Sequence, residues 1–101
     1  QAAVLIQKHA FQPLDIQQIA AELNLSPVRF TQKFKASFGM PPLQYLTSIR
    51  LEKVKTLLLE TDMTLEQIAE CVGYRNGYYL NRLFKKQLQI TPTGYRKLHQ
   101  V

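Results

Sequence analysis

The chain contains an imperfect internal repeat, in which residues 15–45 return weakly as residues 64–95. An offset of 49 residues aligns Gln18, Ile19 and Ala20 with Gln67, Ile68 and Ala69. An offset of 50 residues aligns Phe34, Lys35, Pro42 and Tyr45 with Phe84, Lys85, Pro92 and Tyr95. The slip of one residue falls where each unit is expected to turn into its second helix. We therefore predict two helix–turn–helix units, the first unit (residues 15–45) and the second unit (residues 64–95), in one small chain of 101 residues.

The spacing of apolar residues predicts an all-α fold of about seven helices with no strand. The predicted helices cover residues 2–10, 15–23, 27–38, 42–60, 65–72, 77–88 and 92–98. Capping patterns at Asp15…Gln18 and Thr64…Gln67 mark the beginning of the first helix in each unit. The expected organisation is a first helix–turn–helix subdomain over residues 1–41, a central linker helix over 42–60 and a second subdomain over 61–101.

Each second helix is expected to bury one apolar face and to leave the opposite face in solvent. The residues predicted to be buried are Phe30, Phe34 and Phe38 in one helix, and Leu80, Leu83 and Phe84 in the other. Cys71 lies among apolar residues and is predicted to be a small core residue.

The net charge of +6 is unevenly distributed, because all seven acids lie at Asp15, at Glu22 and between residues 52 and 70. Two acid-free blocks, residues 23–51 and 71–101, hold Arg29, Lys33, Lys35 and Arg50, and then Arg75, Arg82, Lys85, Lys86, Arg96 and Lys97. A solvated basic surface is the ordinary explanation of such charge. Both blocks coincide with the second helix of a repeat unit, however, and this coincidence favours binding to nucleic acid.

Several other classes of function find no support in the residues. The apolar runs are too short to cross a membrane. A single cysteine cannot form an internal disulfide, which favours a reducing cytoplasm as the location. His9 and His99 lack partners at metal-ligand spacing, and no glycine-rich phosphate loop is present. We therefore expect no enzyme activity, no catalytic residue, no metal and no cofactor.

Four segments in register resemble the DNA-binding domain of AraC/XylS-type bacterial transcription regulators. They are residues 39–46 (GMPPLQYL), 50–58 (RLEKVKTLL), 68–74 (IAECVGY) and 84–96, which begins with FKK and ends with TPTGYR. The resemblance covers nearly the whole chain. It implies two helix–turn–helix subdomains that are held apart by a long central helix, with the second helix of each subdomain inserted into the DNA major groove.

The family's recognition positions fall on Val28, Thr31 and Gln32, and then on Gly77, Tyr78 and Arg82. The outward face of each second helix gives the base-contact candidates Val28, Thr31, Gln32, Tyr78, Asn81 and Arg82. Arg82 suits guanine, Gln32 suits adenine, and Val28 or the methyl group of Thr31 suits a thymine methyl. Gly77 has no side chain and is expected only to permit close approach of DNA. The phosphate-contact candidates are Arg29, Lys33, Lys35, Arg75, Lys85 and Lys86.

The expected partner is double-stranded DNA. The alternative is a helical protein-interaction module whose basic face contacts RNA polymerase or another acidic partner. The chain does not begin with Met and is interpreted as a piece of a longer protein. We expect this piece to be monomeric, with any dimerisation of the longer protein left to a missing domain. The effector, the target genes and the choice between activation and repression do not follow from these residues.

Overall fold

The protein is all-α, as predicted. The structure is a computed structural model that describes residues 2–13 and 15–99, and these residues form seven helices and no strand. The helices are α1 (Ala2–His9), α2 (Ile16–Glu22), α3 (Pro27–Phe38), α4 (Pro42–Glu60), α5 (Leu65–Val72), α6 (Gly77–Leu88) and α7 (Pro92–Leu98). None of the helices in this described part of the chain has the length and apolar character that crossing a membrane requires.

The first helix of each unit begins with a reciprocal capping box, which confirms the prediction. The Asp15 carboxylate accepts a hydrogen bond from the Gln18 backbone N–H, and the Asp15 N–H donates to the Gln18 side chain, both at 2.8 Å. Thr64 and Gln67 make the same pair of bonds at 2.9 and 3.1 Å. Each cap satisfies backbone groups that the helix itself leaves unpaired, a contribution of about 1 kcal/mol to stability.

The second helix of each unit, α3 or α6, is also capped by a side chain. The Ser26 hydroxyl accepts from the Arg29 N–H at 3.2 Å, and the Asn76 side chain accepts from the Tyr79 N–H at 2.8 Å. Both helices end at a residue with positive φ, Gly39 at 78° and Gln89 at 61°. These signals fix α3 and α6 to the same length of 12 residues.

Two separate hydrophobic cores follow each other along a molecule that measures 46 × 23 × 20 Å. The first core consists of Ile6, Ala10, Ile19, Ala20, Phe30, Phe34 and Leu46. The second core consists of Leu51, Val54, Leu58, Ile68, Ala69, Val72, Leu80 and Phe84. Helix α4 contributes residues to both cores, so it is packed along its length rather than free between two bodies. The division of the chain at residues 41 and 60 stays a prediction.

Three residues that were predicted to be buried are not. Phe38, in the last turn of α3, is 46% exposed, although its ring centroid still lies 4.5 Å from that of Phe34. Leu83 is only partly buried. Cys71 is exposed, because it falls beside the stripe that Ile68 and Val72 direct into the second core.

Candidate nucleic-acid interface

Helices α3 and α6 each have one face in a core and the opposite face in solvent. Phe30 and Phe34 of α3 are 1% and 2% exposed, and Leu80 and Phe84 of α6 are fully buried. This spacing of four residues fills one side of each helix. The opposite side of each helix, which includes Gln32 on α3 and Arg82 on α6, is exposed. This is the geometry that a helix needs in order to enter a groove of DNA.

On α3, the outward face carries the three predicted base-contact residues. Val28 is 66% exposed, Gln32 is exposed, and Thr31 is half-buried. Residues separated by three or four positions are neighbours on a helix surface, so these side chains form one patch. The patch contains one amide and two apolar or hydroxyl groups, and it carries no charge.

On α6, the outward face is aromatic and basic. Tyr78 is 71% exposed, Arg82 is exposed, and Asn81 is half-buried. The Arg82 guanidinium carbon lies 5.8 Å from the centroid of the Tyr78 ring. This contact holds the guanidinium beside the first turn of the helix, where its planar fork of donors stays accessible.

The six predicted phosphate-contact residues are all exposed. They are Arg29, Lys33, Lys35, Arg75, Lys85 and Lys86. None of them forms an ion pair with another described residue, since the ion pairs found in that part of the chain join His9 to Glu22 and Lys55 to Glu52. Their charges therefore remain available to an anionic partner.

The expectation for Gly77 is wrong. Gly77 is buried against α5, where its backbone N–H donates to the Glu66 carboxylate at 2.8 Å. A Cβ at this position would lie 3.1 Å from the backbone nitrogen and from Oε1 of Glu66. The close approach that this glycine permits is therefore between the two helices of the second unit, and it does not involve the outward face of α6.

Two arginines of the basic blocks, Arg50 and Arg96, have structural roles. Arg50 is only 7% exposed and donates from Nε and Nη2 to the carbonyls of Ala10 and Gln12, at 2.6 and 2.7 Å. Arg96 donates to carbonyls at the end of α4 and in the loop that follows, those of Leu58, Thr61 and Met63, at 2.8, 3.1 and 3.0 Å. Their charges are satisfied inside the protein and contribute little to the outward faces.

The burial of Arg50 could have been predicted from its position in the sequence. Arg50 lies four residues after Leu46 and four before Val54, and it therefore belongs to the buried stripe of α4. The charge of a block of residues does not distinguish an arginine on a buried stripe from one on an exposed face. Among the described residues, no group of three or more His, Cys, Asp or Glu side chains is arranged to hold a metal ion.

Comparisons with known proteins identify similar sequences and folds. A family described as helix-turn-helix domain matches residues 19–98. The chain is 32% identical over 92 residues to the MmsAB operon regulatory protein of Pseudomonas aeruginosa, covering 91% of this chain and 30% of that protein. It is 32% identical over 96 residues to the transcriptional regulator MtrA of Neisseria gonorrhoeae, covering 92% of this chain and 32% of that protein. The chain thus spans about a third of the length of these relatives.

Solved structures with the same fold include the C-terminal domain of AraT, a response regulator from Geobacillus stearothermophilus. Its TM-score is 0.92 at 38% identity, over 99% of this chain and 84% of that one. The DNA-binding domain of AdpA, solved in complex with a target DNA, has a TM-score of 0.86 at 26% identity, over 97% of this chain and 88% of that one.

Proposed function

The chain belongs to the AraC-type family of helix–turn–helix DNA-binding domains, and we propose that it is the output domain of a bacterial transcription regulator that inserts α3 and α6 into two successive major-groove segments. One observation carries this proposal. Seven exposed cations lie on or beside the two repeated second helices: Arg29, Lys33, Lys35, Arg75, Arg82, Lys85 and Lys86. A phosphate backbone that follows the outward faces of α3 and α6 would meet positive charge at both helices.

The two helices are assigned different roles in reading bases. On α3, Gln32 pairs with adenine, while Val28 and Thr31 pack on thymine methyl groups. On α6, Arg82 donates two hydrogen bonds to guanine, with Tyr78 and Asn81 beside it. The six predicted phosphate-contact residues bind the DNA backbone, which positions the protein on the duplex without specifying sequence. They are Arg29, Lys33, Lys35, Arg75, Lys85 and Lys86.

The target is an asymmetric site. Both units lie in one chain and follow each other in the same direction, so a single chain reads two different half-sites. Successive major-groove segments on one face of the duplex lie about 34 Å apart. The long dimension of the molecule, 46 Å, exceeds this distance. A dimer with a palindromic site is therefore not required, and we propose that this domain binds as a monomer in the bacterial cytoplasm.

Double-stranded DNA is preferred over an acidic protein such as RNA polymerase for a structural reason. Seven of the ten exposed lysines and arginines in the described part of the chain lie on or beside the second helices of the two units. A surface for a protein partner has no reason to follow the repeat. Any contact with RNA polymerase would therefore use surfaces other than the outward faces of α3 and α6.

Selection of bound sequences from a random duplex pool tests the proposal. We expect enrichment of two unlike elements whose centres lie about 10 base pairs apart. The pool should be bound again in the presence of an excess of polyglutamate, an acidic polymer without bases. The protein-interaction alternative would be supported, and this proposal contradicted, if the protein bound the DNA pool without sequence enrichment and if polyglutamate displaced all bound duplexes to the same extent.

A further inference from the structure

One buried arginine connects the two halves of the molecule. Arg50 lies on α4 between the residues that enter the first core and those that enter the second. Its Nε and Nη2 donate to the Ala10 and Gln12 carbonyls, which follow α1, and Ala10 belongs to the first core. Its guanidinium carbon lies 4.9 Å from the centroid of the Tyr74 ring, which packs against the second core.

Gly73 brings the backbones of the two halves together at the same place. It ends α5 with a φ of +95°, a conformation that glycine adopts without strain. A Cβ here would lie 2.6 Å from the Gln12 carbonyl oxygen and 2.9 Å from Nη2 of Arg50. The first of these contacts is with backbone, so a side chain here would force the two segments apart. The turn between α5 and α6 therefore rests directly on the segment that follows α1.

Tyr74 extends this contact to α6. Its ring centroid lies 5.6 Å from that of Tyr79, which is in the first turn of α6. Burial raises the pKa of the Tyr74 hydroxyl above its ordinary value, and the opposing influence of the Arg50 charge is smaller. The ring is therefore neutral at physiological pH, and the contact with Arg50 is that of a cation with an uncharged aromatic face.

We propose that Arg50 is a positioning residue that fixes the orientation of α3 relative to α6 and thereby sets the spacing of the two half-sites in DNA. This inference rests on the proposed function, because spacing has meaning only if both helices read DNA. A buried guanidinium with directed hydrogen bonds has few alternative arrangements, since any displacement leaves a charge or a carbonyl unpaired. Arg50 therefore resists relative rotation of the two cores about α4.

The DNA makes such an orientation easy to detect. Adding one base pair between the half-sites moves the second one by about 3.4 Å and rotates it by about 34° around the duplex axis. A molecule with a fixed angle between α3 and α6 cannot follow that rotation and loses one set of contacts. A molecule with a loosened junction can follow it.

Arg50→Lys is the test variant, because it keeps the charge and removes the planar fork. Arg96→Lys is the matched control. Arg96 makes a similar set of hydrogen bonds to backbone carbonyls, but all of its partners lie between Leu58 and Met63, within the second half of the molecule. Both variants are checked for folding by circular dichroism before use.

The first measurement needs no DNA. Nitroxide labels are attached at Ser37→Cys and Gln87→Cys, exposed positions of α3 and α6 that correspond in the repeat, after the exposed Cys71 is changed to serine. Pulsed electron paramagnetic resonance then gives the distance distribution between them. We expect one narrow distribution for the parent protein and for Arg96→Lys, and a broad or displaced one for Arg50→Lys.

The second measurement uses duplexes that carry the two selected half-sites with base pairs added or removed between them. We expect the parent protein and Arg96→Lys to lose about tenfold in affinity for a change of one base pair, and Arg50→Lys to lose less than about threefold. Affinity for each isolated half-site should stay within about twofold of the parent value for Arg50→Lys.

An unchanged distance distribution together with an unchanged spacing preference in Arg50→Lys would overturn the proposal. If the parent protein bound no half-site, the proposed function would be wrong. The label distances would still test whether Arg50 fixes the orientation of α3 relative to α6. If Arg50→Lys did not fold, Tyr74→Leu would replace it, since leucine keeps apolar bulk and removes the aromatic face under the guanidinium. A narrow, unshifted distance distribution together with an unaltered spacing preference in folded Tyr74→Leu would also overturn the proposal for Arg50.

Discussion

Arg82→Ala separates recognition of a base from attraction to phosphate. Arg82 is exposed on α6, forms no ion pair with a described residue, and contacts the ring of Tyr78, which is itself 71% exposed. The substitution therefore opens no cavity and leaves no buried group unpaired. Loss of the exposed cation–π contact costs at most about 1 kcal/mol, so we expect the free energy of unfolding to change by no more than that.

The expected effect on binding is larger and depends on sequence. A two-bond contact between arginine and guanine contributes about 1–3 kcal/mol of discrimination, which corresponds to about a 5- to 150-fold loss at the preferred site. At random DNA, only one positive charge is lost. The preferred site should therefore weaken more than random duplex, and preference should relax at one or two adjacent base pairs.

Lys85→Ala is the matched control, because Lys85 is an exposed cation on the outward side of the same helix. This substitution should weaken binding to all DNA sequences alike, and it should reduce the magnitude of the slope of log affinity against log salt by about 1. Fluorescence anisotropy with the selected site, with single-base variants of it and with random duplex measures all of these quantities. If Arg82→Ala and Lys85→Ala lowered specific and random binding in the same ratio, Arg82 would be a phosphate contact and the assignment would be wrong.

Three further predictions use other parts of the molecule. About six phosphate contacts imply that affinity falls about 10³-fold between 50 and 200 mM salt, and a flat salt titration would contradict DNA binding. Phe84→Ala should lower the free energy of unfolding by about 3–5 kcal/mol in urea titration, since Phe84 is fully buried. Phe38→Ala should lower it much less, because Phe38 is 46% exposed, and equal losses would contradict this difference in burial. Asn76→Ala should cost about 1 kcal/mol through loss of the bond to the Tyr79 N–H, and Asn76→Asp should retain it, which the same titration checks.

The positions of the helices could be predicted because their signals are local. The capping boxes at Asp15 and Thr64 depend on residues three apart in the chain, and the structure contains both of them. The buried stripes of α3 and α6 follow from helical periodicity, which Phe30, Phe34, Leu80 and Phe84 satisfy. An internal repeat strengthens these signals, because each unit predicts the other.

The details that could not be predicted depend on contacts between distant parts of the chain. Phe38 continues the stripe of α3, and only the packing of neighbouring helices determines that it remains 46% exposed. Gly77 lies at a recognition position by resemblance, yet its surroundings are set by Glu66, 11 residues earlier. Arg50 bonds to carbonyls 40 and 38 residues away. Sequence periodicity contains no information on such partners.

The central helix joins the two subdomains and is also packed into both of them. Helix α4 has 19 residues and spans about 28 Å. In the structure, Leu46 enters the first core, while Leu51, Val54 and Leu58 enter the second, so one helix is part of both. Arg50 lies at the boundary between those groups. In the proposed complex, the relative orientation of the two outward helix faces therefore depends on residues that do not themselves contact the DNA.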